Sequence, residues 1–250
     1  KGMSETSASR TGAVIIDVDG VLLSFSNRRF YARMVLEVAR SLRHLSPNRK
    51  NIMESIRTFK KSGAAGLFVY LNNMSRDTGR FEKICRNISG NMNYDNIMPD
   101  PQLKKYLESL SHYKNIIIRT DGISDIAGKA FHRLMGGDYH GKDIIISDIR
   151  DNGFRTKTDR ESWNLFAEKY NVDLSKSILI DDSKSNIATA EEMGKKGYHV
   201  CRARPLHSIL GNILCSAVWE HQDRKREEHE KKKKAFREMR KQIKKNRHQR

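Results

Sequence analysis

The chain has 250 residues, 37% hydrophobic and 31% charged, enough for one domain with a large insert or two small ones. The formal charge of +18 points to anionic partners. No apolar run reaches the roughly 18 residues of a bilayer span, and residues 4–12 are too polar for a secretory signal. Cys85, Cys201 and Cys215 lack a C-x-x-C pair and read as reduced thiols, not as a disulfide framework or zinc site. A cytoplasmic location is the expectation, with Lys1-Gly2 ahead of Met3 set aside as an expression remnant.

Ala13-Val14-Ile15-Ile16 reads as a short buried strand of a parallel sheet. Asp17-Val18-Asp19-Gly20 follows at its carboxyl end, where open α/β sheets place their sites. Residues two apart on an extended segment point the same way, so Asp17 and Asp19 converge on one ligand. A divalent cation would relieve their mutual repulsion. A bare polar turn is the plainer reading of D-x-D-G taken alone.

Residues 27–98 read as helical. Tyr31, Met34, Val35, Val38, Leu42 and Leu45 recur at helical spacing, Ile52, Ile56 and Phe59 suggest a second helix, and Leu67–Met74 and Phe81–Ile88 suggest two more. Asp100-Pro101 caps and opens a helix over Gln102–His112. Strands and helices then alternate: Ile116–Ile118, Ile126–Leu134, Asp143–Ser147, Ser162–Tyr170, Ser177–Ile180, Asn186–Met193 and Tyr198–Arg202, with Gly194 and Gly197 as stops. This pattern predicts an α/β fold with a doubly wound parallel sheet. The division is a core over 13–26 and 99–204, a helical cap over 27–98, a terminal core helix over 205–220 and a basic helical tail over 221–250.

Asp17-x-Asp19, Thr120 after an isoleucine run, Lys157, and Ile180-Asp181-Asp182-Ser183 with Asn186 all fall after predicted strands, in that order. Together they resemble the Mg²⁺-dependent phosphatases of the haloacid dehalogenase superfamily. The stretch Met98-Pro99-Asp100 to Thr120, and Lys157-Thr158-Asp159 before Trp163, look most like the branch that includes pyrimidine nucleotidases. That branch carries Pro where this chain has Thr158, so Lys142 and Arg155 stand as runners-up to Lys157.

The resemblance implies roles. Asp17 would be the nucleophile and Asp19 the general acid and base. Lys157 would neutralise the phosphate, and Thr120, with the amides of Asp121 and Gly122, would bind its oxygens. Mg²⁺ would sit among the Asp17 carboxylate, the Asp19 carbonyl, Asp182 and Asp181, with Asn186 restraining the acidic pair. Taken singly, Lys157 is a surface lysine, Thr120 a helix cap, and Asp181-Asp182 a cap for the helix near Lys184. Cap residues Asn27, Arg28, Arg29, Lys60, Lys61, Asn72 and Asn73 are polar enough to face a ligand, though solvated surface is their simpler role. The histidines show no ligand spacing.

Leu206, Ile209, Leu210, Ile213, Leu214, Ala217 and Val218 form a helical stripe, after which apolar content collapses. Residues 221–250 hold 14 Lys or Arg against 5 Asp or Glu, half the net charge of the chain. Phe236, Met239 and Ile243 recur at spacings of three and four, which suits an anionic membrane surface better than nucleic acid. A solvated charged face is the plainer reading. The architecture resembles bacterial effector phosphatases delivered into host cells, such as those of Legionella. A phosphoprotein, phosphotyrosine in particular, is the preferred substrate. A nucleotide or small metabolite is the alternative, and a non-catalytic phosphate- or membrane-binding adaptor is the reading outside enzymology.

Overall fold

The computed structural model describes residues 11–24, 27–45, 49–75, 77–137 and 144–248. Lys142 lies outside them, as do the side chains of Leu45, Ile52 and Ile243. Five parallel strands form one sheet: β1 (Ala13–Ile16), β2 (Asn115–Arg119), β3 (Ile145–Ser147), β4 (Ile178–Asp181) and β5 (Lys196–His199), in the order β3-β2-β1-β4-β5. The chain builds outward from β1 to β3 on one side, then returns to β4 on the other. The switch point therefore falls at β1, where the strand order opens a crevice.

Period-two alternation divides the strand residues between two helical layers. Val14, Ile16, Ile116, Ile118 and Ile180 pack on one face with α4 (Pro101–Ser111), α5 (Ser124–Leu134) and the start of α8 (Leu206–His248). Ala13, Ile15, Ile117 and Leu179 pack on the other against α6 (Arg160–Tyr170) and α7 (Lys184–Glu192). Burial on both faces explains the unbroken apolar strands.

Three helices stand between β1 and α4: α1 (Arg28–Leu45), α2 (Arg49–Ser75) and α3 (Thr78–Asn91). α2 breaks at Gly63, whose φ of 61° and ψ of −156° suit a residue without a side chain. In α1 the stripe shifts from the expected one: Phe30 is buried, Val35 is only partly so, and Glu37 is buried between Arg33 and Arg40 at 2.9 and 2.6 Å.

One expectation is corrected. Gly197 is not a stop but lies within β5, where it pairs with Leu179 and where a Cβ would meet Ile187 Cγ2 at 2.7 Å. The close approach of α7 requires glycine in the strand, and the strand starts two residues early. Gly194, at φ 80°, does follow the end of α7. The terminal helix and the basic tail lie on one helix, α8, of 43 residues. Its first turns are buried, and a His207–Asp100 contact at 3.0 Å and a Lys114–Glu220 pair at 2.7 Å tie it to the core. From Gln222 to Met239 every residue is exposed. No helix among the described residues is long and apolar enough to cross a membrane.

Candidate active site

β1 and β4 deliver the acidic groups. The Asp17 amide donates to the Ile180 carbonyl at 3.0 Å, which carries the pairing one residue past β1 and sets Asp17 beside Asp181. Both carboxylates are buried. The Lys157 ammonium is buried between them, bonded to Asp17 and 2.9 Å from Asp181 Oδ2.

The backbone of Lys157 is pinned at two points. Its N–H donates to Asp121 Oδ2 at 3.2 Å, and its carbonyl accepts from Trp163 Nε1 at 2.7 Å. Arg155, two residues earlier, is exposed and pairs with Asp159 at 2.7 Å, away from these carboxylates. Asn186 donates from α7 to both Asp181 oxygens, at 3.0 and 3.1 Å, and the Ser183 N–H donates to Oδ1 at 2.8 Å. Ser183, not the acidic pair, caps α7. Asp182 is half-buried beside this group, and its carbonyl lies 2.8 Å from His199 Nε2.

Thr120 is buried at the end of β2, and its Oγ1 accepts the Gly122 N–H at 2.9 Å. That bond commits the Gly122 amide and leaves the hydroxyl proton of Thr120 to donate elsewhere. Asp19 sits in the loop after β1, facing Tyr31 of α1.

Electrostatics follow from this crowding. Burial pushes the Asp17 carboxyl well above its ordinary range, with Asp181 and Asp19 adding to the push and Lys157 opposing it. Burial likewise raises Asp19, and raises Asp182 with help from Asp181. Burial alone would discharge Lys157, but Asp17, Asp181 and Asp121 outweigh it and hold the ammonium charged. One carboxylate oxygen from each of Asp17, Asp181 and Asp182 lies within 4.8 Å of the other two. Three hard oxygen donors in that space fit a divalent cation such as Mg²⁺ or Ca²⁺.

Beneath the site, Arg119 is buried with its guanidinium carbon 3.6 Å from the Trp163 ring centre, and the Lys195 ammonium lies 3.9 Å from the same centre. Burial and the nearby Arg119 charge lower Lys195 to about 7. Nothing local in the sequence marks this stack, nor the wall of the site. Phe30 and Met34 of α1 and Ala64 and Phe68 of α2 face Val18, Asp19, Thr120 and Gly122 across a narrow pocket. The polar cap residues named above are absent from that lining. Phe30 and Phe68 are aromatics at the cap's inner face, but helical spacing does not separate a core stripe from a pocket wall.

A five-stranded parallel sheet, three helices inserted after its first strand and a lysine-bridged carboxylate cluster at the strand ends define an α/β protein with an acidic site at the switch point of the sheet. A family profile described as "Hydrolase: haloacid dehalogenase-like hydrolase" matches residues 11–194, and the chain belongs to that family. No curated protein matches.

Solved structures resemble the chain at low identity. A 2-haloacid dehalogenase from Pseudomonas syringae pv. tomato is 16% identical, covering 82% of this chain and 99% of its own, with a TM-score of 0.47. A predicted HAD-like hydrolase from Porphyromonas gingivalis is 17% identical over 82% and 98%, with a TM-score of 0.45. A HAD family enzyme from Bacteroides thetaiotaomicron, an Asp-to-Ala mutant in complex with magnesium and inorganic phosphate, is 14% identical over 76% and 94%, with a TM-score of 0.44.

Proposed function

We propose that the chain is a Mg²⁺-dependent phosphomonoester hydrolase working through an aspartyl-phosphate. The observation that carries this reading is the convergence of Asp17, Asp181 and Lys157 with Thr120 and Asp19 at the ends of β1, β2 and β4. An Asp17 oxygen attacks phosphorus as the bond to the leaving oxygen breaks, and Asp19 gives its proton to that oxygen. The deprotonated Asp19 then takes a proton from water, whose oxygen displaces Asp17 from phosphorus. Lys157 balances the charge on the transferring group, and the Thr120 hydroxyl donates to one of its oxygens. Asp17, Asp181, Asp182 and the Asp19 carbonyl would hold Mg²⁺, which when bound neutralises charge on the phosphoryl oxygens.

The pocket beside Asp19 has a volume of about 20 Å³, room for about one water, so the apolar character of its lining, and not its present size, is what favours an apolar aryl leaving group. Among the described residues its cap side is Phe30, Met34, Ala64 and Phe68, none of which reads a base edge or sugar hydroxyl. Phosphotyrosine in a protein is the substrate we favour on that basis. The test is a panel of phosphotyrosine peptides, p-nitrophenyl phosphate, nucleoside monophosphates and sugar phosphates with Mg²⁺. Highest kcat/KM on the aryl phosphates is expected. Preference for nucleotides would transfer the chain to the nucleotidase reading, and absence of turnover throughout would leave a binding protein.

The segment 221–250, most of it the exposed end of α8, is proposed as a membrane contact, on the strength of its 14 basic against 5 acidic residues and of exposed Phe236 and Met239 three positions apart. Each Lys or Arg near an anionic leaflet contributes about 1 kcal/mol, less what Glu227, Glu228 and Glu230 subtract. Sedimentation with anionic but not neutral liposomes is expected. It should be lost in 1 M salt, where the Debye length is about 3 Å, and on deletion after Trp219. Liposome binding by the truncated chain would remove the tail from this role.

A further inference from the structure

Asp19 has a partner that the steps above do not use. Tyr31 lies in the first turns of α1, the helix by which the chain enters the cap. Its hydroxyl donates to the Leu23 carbonyl at 3.1 Å and has the Asp19 carboxylate as a second acceptor within hydrogen-bonding reach. The loop between is tightly closed: the Gly20 N–H donates to the Leu23 carbonyl at 2.8 Å, and the Leu23 N–H to the Val18 carbonyl at 2.8 Å. Asp19 and Leu23 thus face each other as a backbone bridge, with the phenol reaching both. The ring is held independently of the hydroxyl, edge-on to Phe30 with centroids 5.6 Å apart.

We propose that Tyr31 is a positioning residue that keeps the Asp19 carboxyl aimed at the leaving oxygen in the first half of the reaction and at the attacking water in the second. The inference rests on the role given to Asp19 above. A phenol has one proton and a lone-pair-bearing oxygen. While Asp19 is a carboxylate, Tyr31 donates to it. While Asp19 carries its proton on the oxygen that faces the leaving group, its other oxygen still accepts from Tyr31. One side chain therefore satisfies Asp19 in both states without a rearrangement of the loop. Because Tyr31 belongs to the cap and Asp19 to the core, the contact also ties the acid to the placement of α1.

Tyr31→Phe removes one oxygen and keeps the ring that packs on Phe30, so melting close to wild type is expected. On p-nitrophenyl phosphate, whose leaving group needs little proton donation, kcat should fall about twofold. On alkyl phosphates the loss should grow to about tenfold or more, within the range that general acids supply, while KM stays within about twofold. In an Asp19→Asn background the same change should add no further loss. Tyr31→His, which returns a donor, should recover part of the alkyl rate if Tyr31→Phe is poorly folded or too slow to measure.

An equal loss on every leaving group, no loss on any, or a full additional loss in the Asp19→Asn background overturns the inference and leaves the hydrolase reading intact. A wild-type chain that turns over no phosphomonoester overturns both.

Discussion

Asp17→Asn is expected to abolish turnover of p-nitrophenyl phosphate, by about 10⁴-fold or more, on the scale seen when an enzyme loses its nucleophile. The amide has nearly the shape of the carboxylate, so the fold should persist. It is a far weaker nucleophile toward phosphorus, and the change also removes one donor from the three-carboxylate cluster. Lys157 keeps Asp181 at 2.9 Å, so the variant does not strand a buried cation. Chelation with EDTA should suppress the wild-type rate and added Mg²⁺ restore it. Near-normal activity in Asp17→Asn, measured beside an unchanged circular dichroism spectrum, is incompatible with an aspartyl-phosphate on this residue. Indifference to EDTA would remove the metal from the reading.

Lys157→Met should lose nearly all activity and, unlike Asp17→Asn, much of its stability. The ammonium is the buried cation shared by Asp17 and Asp181, and removing it leaves two buried carboxylates facing each other. Loss of one member of a buried ion pair typically costs about 3–5 kcal/mol. The sign with pH follows. Without Lys157 the burial of Asp17 and its repulsion by Asp181 raise its folded pKa further, so the folded state binds protons that the unfolded state releases. The deficit is therefore largest above the unfolded value of about 3.9 and shrinks on acidification toward it. Saturating Mg²⁺ should recover part of the deficit, because a cation in the cluster replaces the missing charge. Arg155→Ala should change the rate little, as Arg155 is exposed and paired with Asp159. Lys142→Ala is expected to do the same. Denaturation across pH with and without Mg²⁺ checks the stability half, and a rate collapse in Arg155→Ala or Lys142→Ala but not in Lys157→Met would reassign the phosphate-neutralising group.

Much of the core was legible because its signals are local. Ala13–Ile16 and Ile116–Ile118 are short apolar runs that end in polar turns, and a strand buried on both faces has that form. Asp17, Asp19, Thr120 and the Asp181-Asp182 pair follow such runs directly, so their places at the strand ends came with the strands. Asp100-Pro101 likewise marks its helix by a cap that needs no distant partner: the Asp100 carboxylate accepts from the Leu103 N–H at 2.9 Å.

The rest depended on contacts between residues far apart in the chain. Lys157 and Arg155 are two basic residues in one loop, and no local rule separates them. The separation comes from the Trp163 and Asp121 bonds that turn Lys157 inward, while Asp159 holds Arg155 outside. β5 runs through Gly197, where α7 crosses too closely for a side chain. Arg119 reads as the polar end of a strand, yet its face of the sheet meets Trp163, and the guanidinium stays buried on the indole. Tyr31 and Met34 belong to an apolar helical stripe, but only the placement of α1 over the loop after β1 turns that stretch into the wall of the pocket. The sequence by itself determined which chemistry-bearing residues lie at strand ends, since strand, turn and carboxylate are neighbours in the chain. The tertiary structure decided which lysine enters, which cap residues face it and where the last strand begins, because those outcomes rest on packing and charge between segments up to 164 residues apart, as in the Ala13 amide that donates to the Ser177 hydroxyl.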